Sequence, residues 1–339
     1  MLHRDGEAGL KDMLRSLESD KAPGGILAVI EKGAIVFQGA FGMADLSRGV
    51  KNTVTTVLGA ASLAKQFTAA SIALLAEEGF LRLDQDIRHY LPELPDYGFA
   101  VTIGHLVDHT GGLKDYRGLL EDTRESYGTR EALEAIASFR ELDFPPGERF
   151  QYCNSGYVLL AEIVHRAAGI TLDRFVKTRI FLPLGMRKSS LGAPGAFLKC
   201  ATGYALSGIS HFEAQREKER TLGPGGLFTT LGDLAKWDSF WCGKSPLPCC
   251  ADGGERLRRL ILTRGRLNNG EVLTYAFGLA VWSYRGTMAV SHEGGAGGFR
   301  ADMVRFPDLG FTVACLCNND GINPVEITRK AADVMLRSV

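Results

Sequence analysis

The chain has 339 residues, with 39 basic side chains balanced by 39 acidic ones, 45% hydrophobic content and 23% charged content. That length admits two domains or one two-lobed unit with a large core. Zero net charge without a basic run leaves no electrostatic footprint for nucleic acid or an anionic membrane surface, so a small-molecule partner is the expectation.

Residues 7 to 20 read as a short amphipathic helix carrying Leu10, Met13, Leu14 and Leu17 on one side. No apolar core of signal-peptide length precedes it, and no window of about eighteen apolar residues, the length a spanning helix needs, follows. The seven cysteines include no CxxC pair and no Cys/His cluster with zinc spacing. A reducing, cytoplasmic setting is therefore expected for the chain as written, and a periplasmic or secreted one if a leader precedes it.

After the Pro23-Gly24-Gly25 break, ILAVIEKG and AIVFQGAFGMAD are two apolar runs joined by a Lys-Gly turn, the pattern of a β-hairpin. From Ser62 the stretch SLAKQFTAASIALLAEEG is rich in Ala and Leu, lacks Pro and stops at Gly79, which predicts a helix. TIGHLVDHT, TREALEAIASF, SGYVLLAEIVHRAAG and TLGDLAKWDSFW repeat apolar residues at helical spacing up to about residue 265. TYAFGLAVWSY, TMAVSHEG, GFRADMVRFPD and FTVACLCNND then return to strand composition, with Cys315 and Cys317 expected on one core face, before VEITRKAADVMLRSV closes as a helix. Strands at both ends around a helical centre predict one sheet built from residues 1–60 and 266–339, with a mostly helical lobe, 61–265, inserted.

Three places carry chemistry. Ser62 and Lys65 lie at i and i+3 on one helix face, so an amine desolvated by Ala60, Ala61, Leu63, Ala64 and Phe67 can take the serine proton. The plainer alternative is a capping Ser followed by a surface Lys. Tyr152 and Asn154 lie in a loop between Pro-Pro-Gly and a helix, fit for acid/base work and for holding an amide, or else for core packing and capping. His292 and Gly294 end one strand before a glycine-rich turn, where backbone N–H groups can meet an oxyanion, or else the segment is a hairpin with an incidental His. His109-Thr110-Gly111 also fits His-x-Gly, but follows a helix-like stretch and is assigned a structural turn.

Lys65 is the one lysine with a Ser three residues before it, and Tyr152 the one tyrosine with an Asn two residues after it. The ordered set Ser-x-x-Lys, Tyr-x-Asn, His-x-Gly, with ASLAKQFTA, LVDHTGGL, FPPGERFQYCNSGY and GPGGLFTTLGDLAKW around it, resembles the serine β-lactamase and penicillin-recognising family. The branch it resembles holds class C β-lactamases, DD-peptidases, D-aminopeptidases and related esterases, over roughly residues 20 to 320.

The resemblance implies an α/β (α+β) fold, an antiparallel sheet flanked by terminal helices plus an inserted all-helical lobe, with the site in the cleft between them. It implies an acylated nucleophile Ser62, a proton acceptor Lys65, a proton shuttle Tyr152 and substrate-binding Asn154, His292 and Gly294. The oxyanion hole would be the N–H groups of Ser62 and Gly295, and no metal or organic cofactor is implied. Many β-lactamases carry Lys where this chain has His292, so a weaker carboxylate clamp is expected. Small esters or D-amino-acid derivatives should then be preferred to penicillins. A true class C-like β-lactamase or DD-peptidase, and a module that is acylated without turnover, are the alternatives. Residues 114–130 and 206–222 are the expected selectivity loops. No Gly-x-Ser-x-Gly elbow occurs, which disfavours other serine hydrolases.

Overall fold

The computed structural model describes residues 4–121, 125–193, 200–208, 211–215 and 218–337. The two expected selectivity loops lie partly outside these residues. In chain order, the elements that frame the molecule are α1 (Arg4–Leu17), β1 (Gly25–Glu31), β2 (Ala34–Phe41), β3 (Leu58–Ala61), α2 (Lys65–Glu77), α3 (Asn154–Ala168), β4 (Ser190–Leu191), β5 (Leu227–Thr229), α4 (Leu231–Trp241), β6 (Ala280–Tyr284), β7 (Thr287–Ala296), β8 (Phe299–Phe306), β9 (Phe311–Cys317) and α5 (Pro324–Leu336).

Six strands make one antiparallel sheet in the order β6-β7-β8-β9-β1-β2, so both ends of the chain contribute, as the strand pattern predicts. The Lys32-Gly33 turn joins β1 to β2 with positive φ at both residues, 48° and 81°, the twist that suits a two-residue hairpin. Strand β9 is apolar at nearly every position because both sheet faces are covered. Its Phe311, Val313, Cys315 and Cys317 pack with Leu10 and Leu14 of α1 and Ile327, Ala331 and Met335 of α5. Ala314 and Leu316 point the other way, into the core shared with α2, α3 and α4.

That second core is aromatic where α2 meets α4: Phe67 lies 4.8 Å from Trp237 and 5.0 Å from Phe181, ring to ring. Asp238 of α4 ties the lobe to the sheet. One carboxylate oxygen accepts from Arg305 Nε at 2.9 Å and Thr312 Oγ1 at 2.5 Å, and the other from the Gly33 N–H at 2.9 Å. Asn318 does similar work at the chain crossing, where its oxygen accepts from the Gly24 N–H and its amide donates to the carbonyls of Met43, Ala44 and Thr202.

The inserted lobe is not all helical. Strands β3, β5 and β4 form a separate three-stranded sheet, and short pairs join 127–128 to 219–220 and 204–207 to 211–214. These segments are too short, at two to four residues, for a period to show in the sequence. Tyr204 bridges to Asn319 and Thr202 is held by Asn318, which puts this stretch on the sheet side of the molecule. Of the predicted strand TYAFGLAVWSY, only Ala280–Tyr284 is regular; Gly278, at φ +71°, bends the preceding residues towards α2.

Asp238 and Arg305 are almost fully buried. Asp238→Ala leaves a guanidinium uncompensated in the interior and should cost about 3–5 kcal/mol. Urea denaturation followed by far-UV circular dichroism measures this, and a loss below about 1 kcal/mol would show that the pair does not join the lobes.

Candidate active site

Strand β3 ends at Ala61, whose φ of 43° and ψ of −122° are rare for a residue with a side chain. Such a conformation costs about 1–3 kcal/mol and persists where the surroundings enforce it. Pairing of Ala61 with Leu227 of β5 supplies that enforcement. The bend hands the chain directly to a 3-10 turn, Ser62–Ala64, and then to α2, so Ser62 sits half-buried where a strand becomes a helix. It lines a cleft of about 640 Å3 together with Tyr152, Tyr275, His292, Gly294, Gly295 and Arg117.

One helical turn on, Lys65 is wholly buried. Its Nζ lies 2.7 Å from the carbonyl oxygen of Pro224, 2.9 Å from Asn154 Oδ1 and 3.3 Å from Ser62 Oγ, and stands 4.8 Å from the centre of the Tyr152 ring and 5.3 Å from that of Tyr157. Burial pushes its pKa well below the ordinary 10.5, and the Arg117 cation lowers it further. A neutral amine has two hydrogens and one lone pair. In that form the two carbonyls, which can only accept, can take the hydrogens, which frees the lone pair to face the serine hydroxyl.

The Tyr152 phenol is pushed up to about 12 by burial, against the pull of a hydrogen bond with Ser62 and of Arg117. It is therefore a neutral acid at ordinary pH, beside the nucleophile. Asn154 opens α3 and is 5% exposed, and it is not among the residues lining the cleft. Its backbone N–H and side-chain amide both donate to Asp115 Oδ2, at 2.8 and 3.2 Å, while its Oδ1 accepts from Lys65. Asn154 thus grips Lys65 through its side-chain oxygen. Flanking apolar residues were expected to desolvate that amine, and the rings of Tyr152 and Tyr157 add to them.

On the opposite wall, β7 carries His292, Gly294 and Gly295. A Cβ placed on Gly294 would lie 2.4 Å from the Ala60 carbonyl oxygen and 3.0 Å from the Ser62 nitrogen, so glycine alone allows the strand to approach the nucleophile this closely. Gly295 shares with Ser62 the lining of the cleft and of a small recess beside it. His292 faces the cleft only marginally, at 7% exposure, and both ring nitrogens are engaged inside the protein: Nε2 with the Tyr275 hydroxyl at 3.1 Å and Nδ1 with the Glu293 carbonyl at 2.6 Å.

Sequence reasoning missed several contributors. Arg117 reaches the cleft from LKDYRGLL, held by the Glu219 carboxylate at 2.6 Å, which also accepts from Tyr116 and Thr221. An Asp-Tyr-Arg run carries no signal of its own. The Pro224 carbonyl, like any backbone acceptor, has no signature beyond the GPGG that shapes its loop. There Gly223, at φ +107°, lets the chain pass against the Tyr157 carbonyl while its own oxygen accepts from Thr68.

Residues 10–334 match the family model described as Beta-lactamase. A penicillin-binding protein of Bacillus subtilis is 29% identical over 330 residues, covering 92% of this chain and 71% of that protein. A D-aminopeptidase of Brucella anthropi is 28% identical over 305 residues, covering 89% of this chain, which spans 57% of that relative's length. Among solved structures, an octameric penicillin-binding protein homologue from Pyrococcus abyssi superposes with a TM-score of 0.84 at 25% identity, covering 98% of this chain and 77% of that one. A D-amino acid amidase from Ochrobactrum anthropi gives 0.80 at 20% identity, with 99% and 100% covered, a likeness of fold.

Two outcomes follow from the geometry. A protonated Lys65 has no lone pair for Ser62, so kcat/KM should climb with pH along a limb centred well below 10.5, and Tyr152 should cause no decline below about pH 10. A pH-rate profile whose rising limb sits at the ordinary lysine value would contradict the neutral amine. Gly294→Ala should push the strand, and with it the Gly295 N–H, away from Ser62 and lower kcat by roughly 100-fold or more, the scale of losing one oxyanion donor, with circular dichroism unchanged.

Proposed function

The chain belongs to the Beta-lactamase family, and from that premise we propose that it hydrolyses small esters or D-amino-acid amides through an acyl-enzyme on Ser62. The observation that carries this reading is the placement of Lys65 Nζ, with two carbonyl acceptors on one side and Ser62 Oγ on the other.

Ser62 Oγ attacks the substrate carbonyl carbon as its proton passes to Lys65. The carbonyl electrons move onto oxygen, where the Ser62 and Gly295 N–H groups stabilise the charge, each donor being worth about 3 kcal/mol of barrier. Collapse of this adduct re-forms the carbonyl and breaks the bond to the alcohol or amine, which leaves with a proton relayed through Tyr152. A water molecule then attacks the ester on Ser62, giving its proton to the Tyr152 and Lys65 pair, and Ser62 recovers a proton as the acid departs.

Two features favour neutral or amine-bearing acyl donors over penicillins. His292 has no free ring nitrogen for a carboxylate, and Arg117 is already paired with Glu219. The names of the D-aminopeptidase relatives point the same way.

Initial rates on p-nitrophenyl butyrate, a D-alanyl p-nitroanilide and nitrocefin test the preference, with Ser62→Ala as control. Turnover of the ester or the anilide at least tenfold above nitrocefin is expected; rapid nitrocefin cleavage alone would instead favour a β-lactamase. Intact-mass spectrometry should show a transient Ser62 adduct that clears. An adduct that never clears would mark a module that binds acyl donors without turnover.

A further inference from the structure

The two His-x-Gly sites that compete in the sequence meet in space. His109 and His292 flank one hydroxyl, that of Tyr275, at 3.3 and 3.1 Å, and all three side chains are buried. Each end of this chain is closed by a backbone group whose role has no ambiguity. The Cys153 N–H can only donate, and it meets His109 Nδ1 at 3.2 Å. The Glu293 carbonyl can only accept, and it meets His292 Nδ1 at 2.6 Å.

These two ends order the protons between them when the Tyr275 hydrogen points at His292 rather than at the Tyr157 hydroxyl, which Tyr275 also meets. His109 Nδ1 accepts, so in a neutral ring its Nε2 carries the hydrogen and donates to Tyr275. The Tyr275 hydroxyl in turn donates to His292 Nε2, which must be bare because His292 Nδ1 holds the hydrogen given to Glu293. The direction runs Cys153 to His109 to Tyr275 to His292 to Glu293, with one proton per link. We propose that His109 and Tyr275 are positioning residues which lock His292 in its Nδ1–H tautomer, making it a strut that pins the Glu293–Gly295 backbone against Ser62 rather than a ligand for substrate.

The chain reaches the oxyanion strand where its placement is tightest. His292 ties to the carbonyl immediately before Gly294, whose Cα has no room for a side chain against Ala60 and Ser62. At the other side, the segment holding Tyr275 is seated on the nucleophile helix, because a Cβ on Gly278 would lie 2.6 Å from the Lys65 carbonyl oxygen. One hydrogen-bonded column therefore spans from the turn after Val107 through the helix start to the strand. A second proton on His292 would have to sit on Nε2, and the Tyr275 hydrogen would then have to leave for the Tyr157 hydroxyl, since His109 already presents N–H. The groups facing His292 agree: Lys65 from α2, Tyr152 before α3, Tyr275 and His109 supply no anion, and Asp302 of β8 lies across from Glu293, held by Thr328 and Arg329. Burial holds His292 down at about 3 and His109 well below its ordinary value.

This inference rests on the serine-hydrolase reading for its kinetic part alone; the tautomers are observable without turnover. Imidazole nitrogen NMR of the full chain, with His109→Asn and His292→Asn used for assignment, should show His109 as the Nε2–H form and His292 as the Nδ1–H form, with neither titrating between pH 5 and 8. Tyr275→Phe should cut kcat about tenfold, the scale of one buried hydrogen bond, leave KM within twofold, and move the His292 titration upwards. In the cycle with His109→Asn, the double variant should lose little more than Tyr275→Phe alone. An Nε2–H form for His292, an unaltered kcat in Tyr275→Phe, or multiplicative losses in the cycle would each overturn the proposal. Loss of the Ser62 dependence with the tautomers intact would overturn the hydrolase reading instead.

Discussion

The whole site turns on one desolvated amine. An isolated ammonium in the protein interior costs more than the net stability of a typical domain, so a lysine with no exposed surface must be neutral or richly solvated by the protein. Lys65 is given two carbonyl oxygens and a hydroxyl, delivered by the start of α3, the GPGG loop and its own helix. That supply is enough to orient the amine and too little to make it a comfortable cation. Burial moves the two neighbours in opposite directions, the Lys65 amine down and the Tyr152 phenol up.

The surrounding fold reads as support for that arrangement. Asp115 holds Asn154 from two sides, and Asn154 aims its oxygen at Lys65. Tyr157 closes over the amine while its hydroxyl is anchored on the Val107 carbonyl. Glycines at 223, 278 and 294 let three separate stretches of backbone come within contact of the nucleophile helix or of α3. Arg117 adds a fixed positive charge near the amine, balanced by Glu219, and so biases the proton equilibrium without filling the cleft with net charge.

Much of this was legible in the residues. The hairpin at 25–41, the helix beginning after Ser62 and the strand run from 287 to 317 follow from periodicity and punctuation, because their apolar spacing is set by burial on both faces of the sheet. Ser62, Lys65 and Tyr152 come together as their motif order implies. What stayed hidden has a common cause. Two-residue strands show no period, the Pro224 carbonyl is backbone, and the partnership of His109 with His292 depends on a tyrosine 17 residues upstream of the latter. Asn154 was visible as a polar group at a helix start, but whether its oxygen faces substrate or lysine is decided by Asp115, 39 residues away.

The interleaving of the sheet also has a consequence for synthesis. Ser62 precedes in the chain the strand that closes on it, Thr287–Ala296, and that strand's neighbours through Cys317, so these leave the ribosome after it. Until they arrive, β1 has no partner on one edge and Ser62 lacks the strand that faces it. A nascent chain therefore carries an open strand edge until they do, a state prone to mispairing. The two facing walls of the cleft are completed together, when these hairpins dock.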